Sequence, residues 1–298
     1  MDFLFRILSK PGLNFLYFVA DYLLFPLIYH IIRYRRKIVI KNLRNAFPNL
    51  NANEYRQLEK KIYHQFCNVF AEIIYSYRIT ISELKERVHF TGVEKLVELN
   101  LKYKSSIIML GHMGCWEWMC SIHHHVKDQG ITECSVYRKQ KNESVNRLME
   151  KLREKVGGIC ADKNKILRTI ISRRKENLIT IYGMVADQKP SPNNMHFWTT
   201  FLNQPTAFLD GSDILARKFD YPVFYFYITS PKRGYYNVDT ILLSENSKDA
   251  AEYEIVSKYS KILEKNILEQ PQLWLWTHNR WKWTPNDVPE NTRTNLKD

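Results

Sequence analysis

The stretch LGHMGCWEWM, residues 110–119, sets His112 and Glu117 five positions apart behind the apolar run SIIML at 106–110, with glycines at 111 and 114. An imidazole steered by a carboxylate is a general-base arrangement. The carboxylate fixes the tautomer and stabilises the imidazolium that forms, while the other ring nitrogen removes a proton from an incoming hydroxyl or amine. On one regular helix five residues turn through about 500°, which leaves the two side chains about 140° apart. Pairing therefore requires His112 on a loop and Glu117 in the first turn of the helix that follows, where a carboxylate also complements the helix dipole. Such chemistry demands no serine or cysteine nucleophile, although Cys115 lies nearby. A buried histidine paired for structural reasons meets the same spacing, because a lone H-x4-E is a weak motif.

These residues need a scaffold that presents a loop at a strand end. The run at 106–110 is rich in β-branched residues and reads as a buried strand, with Gly111 and Gly114 allowing a tight exit. Reactive groups of α/β sheets collect at such ends. Along the rest of the chain, strands at 88–90, 133–137, 178–182, 222–228 and 235–243 take turns with helices at 93–100, 142–155, 211–219 and 250–268. The segment after Gly114 also reads as helical. A further helix from 54 carries Leu58, Ile62, Phe66, Val69, Phe70, Ile73, Ile74 and Tyr77 on one face, capped by Asn53. The pattern predicts an α/β fold: a single domain at 46–298 around a mixed, mostly parallel sheet flanked by helices, preceded by a membrane-associated helical extension at 1–45.

That extension contains LNFLYFVADYLLFPLIYHII at 13–32, close to the ~20 apolar residues a membrane span needs. Asp21 and Pro26 interrupt it, and no small-residue cleavage site follows, so an export signal fits poorly. The next twelve residues hold Arg33, Arg35, Arg36, Lys37, Lys41 and Arg44 with no acid. An apolar segment followed by cations suits the cytosolic face of a membrane, whether the helix crosses the bilayer or lies in its surface. A buried helix with a solvated basic end is the plainer alternative.

The chain of 298 residues has a net charge of +13, which favours an anionic partner. Residues 138–175 alone hold 13 Lys or Arg against 4 Asp or Glu. A solvated helix face, an acidic carrier protein or anionic headgroups would each match this excess. Nucleic acid fits less well, because aromatics interleave poorly with the cluster. Five cysteines with no C-x-x-C spacing argue against a disulfide framework or a common zinc site. His123, His124 and His125 are consecutive, point different ways on a helix and read as surface rather than metal ligands. Trp274, Trp276, Trp281 and Trp283 divide between core and lipid boundary in this reading, and Arg233 sits in a hairpin turn.

GHMGCWE resembles the H-x4-D/E signature of glycerolipid-type acyltransferases. SVYRKQKNESVNRLM (135–149), ADQKP (186–190), WTTFLNQPTAFLDGSDILARKFDYPVF (198–224) and QLWLWTHNRWKW (272–283) narrow this. Together they are similar to the lipid A biosynthesis acyltransferase family of lauroyl and myristoyl transferases, in its order and over residues 10–283. The resemblance implies His112 as base and Glu117 as its partner. It implies Arg138 near the donor phosphate or the oxyanion, with Asp187 and Gln188 shaping the site. Arg280, beside the tryptophans, fits a phosphate-binding or site-capping group and a structural ion pair equally well. The resemblance further implies transfer of a fatty acyl chain from an acyl carrier protein, or coenzyme A, thioester to a lipid acceptor at the inner face of the cytoplasmic membrane, with no metal and no cofactor. The chain departs from the pattern at Cys115, where many members have asparagine, after Gln188, where a glycine is usual, and at Asn279, which replaces one arginine of the terminal pair. The acceptor therefore stays open between a lipid A precursor and an amino-acid lipid or pigment-like molecule. A non-catalytic membrane scaffold holding an acidic partner is the alternative outside enzymology.

Overall fold

The structure is a computed structural model that describes residues 2–156 and 158–288. Its strands are β1 (Val88–Thr91), β2 (Ser105–Leu110), β3 (Ile131–Tyr137), β4 (Ile159–Asp162), β5 (Ile179–Val185), β6 (Phe197–Phe201), β7 (Gln204–Phe208), β8 (Val223–Lys232) and β9 (Tyr235–Ser244). Seven of them form one sheet in the order β1-β9-β8-β2-β5-β3-β4, while β6 and β7 make a separate antiparallel hairpin. All contacts from β8 to β4 are parallel, β8–β9 is an antiparallel hairpin, and β1 runs parallel to β9. The fold is thus α/β with a mixed, mostly parallel sheet flanked by helices. β2 lies at its centre, and all six of its residues are buried. A strand covered on both faces must be apolar throughout, which is why SIIML reads as a continuous run instead of an alternating one.

The helix Ala52–Tyr75 is capped by Asn51, whose side chain accepts from the amides of Asn53 and Glu54 while Glu54 returns a bond to the Asn51 amide. This reciprocal box satisfies the open amides of the first turn, so the cap falls two residues before the expected Asn53. The segment after Gly114 is a 3-10 helix, Trp116–Ile122, not an α-helix. Trp118, Met119, Cys120, Ser121 and Ile122 are all buried. The tighter winding accommodates consecutive buried residues where a one-sided α-helix would expose some of them. His124 is buried in the short helix that follows, so the three histidines are not a plain surface. The basic stretch also contains elements that its polarity hides: the edge strand β4 and the helix Ile166–Lys175.

Residues Leu13–Ile32 form a continuous helical segment with π-helical turns at Ala20–Leu24 and Pro26–Ile32. Among the described residues it is the one helix long and apolar enough to cross a membrane. One of its faces, including Leu13, Leu16, Tyr17 and Ala20, joins the main hydrophobic core. Asp21, which breaks the apolar run, is held by Arg233 from the β8–β9 turn at 2.6 and 2.9 Å. The Arg233 guanidinium also stacks 4.0 Å over the ring of Tyr17.

Candidate active site

β2 and β5 are adjacent and parallel, with Leu110 paired to Val185. Extending that register by two residues beyond the strand ends sets His112 opposite Asp187. Their side chains meet there: His112 Nδ1 lies 2.5 Å from Asp187 Oδ1. The second carboxylate oxygen, Oδ2, accepts from the backbone amide of His112 at 3.0 Å and from Trp274 Nε1 at 2.8 Å. Burial alone would raise the Asp187 pKa. The charge of His112 and these hydrogen bonds outweigh it and hold the carboxyl down at about 2. A carboxylate so held keeps its proton-accepting edge on Nδ1, which leaves the lone pair on Nε2. The side-chain nitrogen of Gln188 stands 3.2 Å from that Nε2.

Glu117 does not make the expected pair with His112. Its carboxylate is gripped by Arg153 of the helix Glu143–Val156, with Nε at 2.7 Å and Nη2 at 2.8 Å, and it accepts from Trp116 Nε1 at 3.1 Å. The 3-10 winding turns Glu117 toward that helix, whereas the parallel register delivers Asp187 to His112. Glu117 reaches His112 only through Trp116, whose ring meets the imidazole edge-to-face at 4.8 Å. Its contacts join the loop to the helix Glu143–Val156.

The loop is fixed from a third direction. Gly114 N donates to Leu273 O at 2.9 Å, and Met113 forms a bridge with Trp274. Gly114 has φ +53°, and an added Cβ would lie 2.4 Å from the Tyr236 ring, so both the backbone and the neighbour require glycine.

Arg138 follows β3, the next strand beyond β5, and is exposed. Three neighbouring parallel strands thus deliver His112, Asp187 and Arg138 from their C-terminal ends, where ligands of open α/β sheets bind. Arg280 is buried. It donates to Ala207 O, and its guanidinium lies over Phe208. Burial lowers its pKa to about 10 against the opposing pull of Asp187. It ties the terminal segment to the β6–β7 hairpin.

Beside the dyad lies an apolar groove of about 320 Å³. One wall is the helix Ala52–Tyr75 through Ile62, Phe66, Val69, Phe70 and Ile73, and the other is residues 272–278. Trp116 and Gln188, both in contact with His112, line it too. His278 completes that end; burial lowers its pKa to about 4, so it stands there neutral. Trp274 and Trp276 are buried in the groove wall, while Trp281 and Trp283 are half-buried. Sequence reasoning passed over Arg153, Trp116 and His278. A basic residue in a basic helix carries no mark of its ion pair.

A histidine–aspartate dyad at parallel strand ends, with Trp116 and Gln188 between it and an apolar groove, is an α/β arrangement able to take a proton from a nucleophile held beside an apolar group. The chain belongs to the bacterial lipid A biosynthesis acyltransferase family, whose model matches residues 13–283. It is accordingly an acyltransferase. No curated protein matches it significantly.

Proposed function

We propose that the protein transfers a fatty acyl chain from the thioester of an acyl carrier protein to a hydroxyl of a lipid A precursor, at the cytosolic face of the membrane, with His112 as general base. The observation that carries this reading is the His112–Asp187 dyad, joined through Trp116 and Gln188 to the groove between the helix Ala52–Tyr75 and residues 272–278. The acyl chain occupies the groove, which sets its thioester carbonyl beside Nε2. The acceptor oxygen gives its proton to Nε2 and attacks the carbonyl carbon. The carbon–sulfur bond then breaks, and the leaving thiolate takes the proton back from the imidazolium. Asp187 stabilises that imidazolium throughout, and Gln188 holds the ring's orientation. Arg138, exposed just beyond β3, meets the donor phosphate or the oxyanion in this reading. The basic stretch 138–175 offers an acidic carrier a complementary surface.

The test is transfer from labelled acyl carrier protein to total membrane lipid. The wild type should give a labelled lipid whose mass identifies the acceptor, and His112→Ala should give none while keeping the wild-type circular dichroism. Undiminished transfer by that variant would overturn the assignment. Label appearing on an amine or a phenol would keep the dyad and change the acceptor.

A further inference from the structure

The apolar helix has two unlike surroundings. Leu13, Leu16, Tyr17, Ala20, Phe25 and Tyr29 are buried against the domain. On the opposite side Phe15, Phe18, Tyr22, Leu23 and Ile31 are exposed, Tyr22 at 72% and Ile31 at 73%. So large a contiguous apolar face marks an interaction surface.

The domain side is fastened along its whole length to the antiparallel helix Ala52–Tyr75. Tyr17 donates to Glu72 at 2.7 Å near one end. In the middle, Asp21 meets His64 at 3.4 Å and Phe25 stacks on the His64 ring at 3.7 Å. Near the other end Tyr29 donates to Glu59 at 3.2 Å. Thirteen residues of one helix thus run beside fourteen of the other, about 20 Å of shared length. Directly afterwards the helix Arg36–Ala46 presents Lys37, Lys41 and Arg44 on one exposed face, at helical spacing and with no acid in residues 33–46.

We propose that this face seats the protein on an anionic phospholipid leaflet, with the helix Leu13–Ile32 lying flat in the leaflet and not crossing the bilayer. A crossing helix would have to draw its bound partner, with Glu59, His64, Glu72 and Arg233, into the hydrocarbon, where ionisable groups are costly. Lying flat, it buries Phe15, Phe18 and Ile31 in acyl chains while the polar rungs stay in protein. The cations of the next helix then reach the headgroups. The seat also gives the groove a reason for its position: Tyr34 and Arg35, immediately after the helix, line its rim together with the 43%-exposed Phe70. A lipid can slide in from the leaflet without passing through water. The inference goes beyond the proposed acyl transfer and shares with it only the lipid nature of the acceptor.

Depth measurement tests it. A fluorophore is placed in turn at Phe15→Cys, Tyr22→Cys and Ile31→Cys in a Cys160→Ser background, the other native cysteines being buried. Quenching is read with phosphatidylglycerol-containing vesicles carrying spin labels at shallow or deep chain positions. All three probes should report one similar, shallow depth. Depth that passes through the midplane between Phe15 and Ile31, or probes that no quencher reaches, would overturn the seat. The last outcome together with a doubled mass would assign the face to a second copy of the chain. The triple change Lys37→Gln, Lys41→Gln, Arg44→Gln should weaken vesicle binding roughly a hundredfold, and unchanged binding would also count against the proposal. Repeating the depth series with His112→Ala separates the two readings, since that variant seats normally even if acyl transfer is not its reaction.

Discussion

At the scale of the residue, the histidine and the two acids on offer divide their labour by what surrounds them. Asp187 is buried yet carries a depressed pKa, because an imidazole and three hydrogen bonds compensate its charge. Glu117 spends both oxygens on a partly buried arginine. The two therefore fail differently. Asp187→Asn leaves the packing in place but removes the anion facing Nδ1, and kcat should fall on the order of a thousandfold with little change in thermal stability. Glu117→Ala leaves the partly buried Arg153 without its counter-ion. It should destabilise the fold by about 3–5 kcal/mol, seen as a lowered denaturant midpoint, with the surviving folded fraction still active. If Glu117→Ala silenced a fully stable protein while Asp187→Asn stayed active, the roles assigned to the two acids would have to be exchanged.

Elements set the position of that dyad more finely than any single contact. The loop between β2 and the 3-10 helix is clamped by residues 273–274 and lies against Tyr236 of β9. Gly114 is where the clamp is tightest. Gly114→Ala must place a Cβ in the Tyr236 ring and hold an L side chain at positive φ, a conformation costing roughly 1–2 kcal/mol before any clash. The loop has to move, and His112 moves with it. Activity should fall by more than tenfold while the melting temperature drops by only a few degrees, as measured by turnover and calorimetry on the same sample. The helix Ala52–Tyr75 has a comparable double duty. Ile62, Phe66 and Val69 wall the groove, while Glu59, His64 and Glu72 hold the N-terminal helix. Its periodicity was legible in the sequence as one apolar face, but its polar residues gave no hint of a second docking face.

Across the whole molecule, stability carries the mark of carboxyls buried far from the dyad. Glu133 on β3 is shut in between Gly158 and Gly183, with Ser135 at 2.8 Å from one oxygen. Burial raises its pKa to about 8, against weaker opposing effects from Ser135 and Arg153. A carboxyl raised in the folded state binds its proton more tightly there than in the unfolded chain. The stability it contributes is complete below the unfolded value near 4.5 and is lost as pH climbs through about 8. Wild-type melting temperature should therefore decline between pH 5 and pH 8.5. Glu133→Gln should flatten that decline, with a gain of several degrees at the alkaline end and almost none at the acid end. A parallel decline in both proteins would show that the slope arises elsewhere.

The alternation of apolar strands and helices, the basic segment after an apolar helix and the block order of a known family were all written in the sequence, because hydrophobic period and motif are properties of neighbouring residues. The α/β class, the apolar N-terminal helix and the enzymatic class followed from them. The acid that meets His112 did not. His112 and Asp187 stand 75 residues apart and touch because β2 and β5 lie side by side in one register, a relation that exists only once the sheet is assembled. Glu117, close in the chain, is carried away by a tight helical turn to an arginine that local spacing could not announce. Proximity along the backbone suggested one partner, and strand pairing supplied the other.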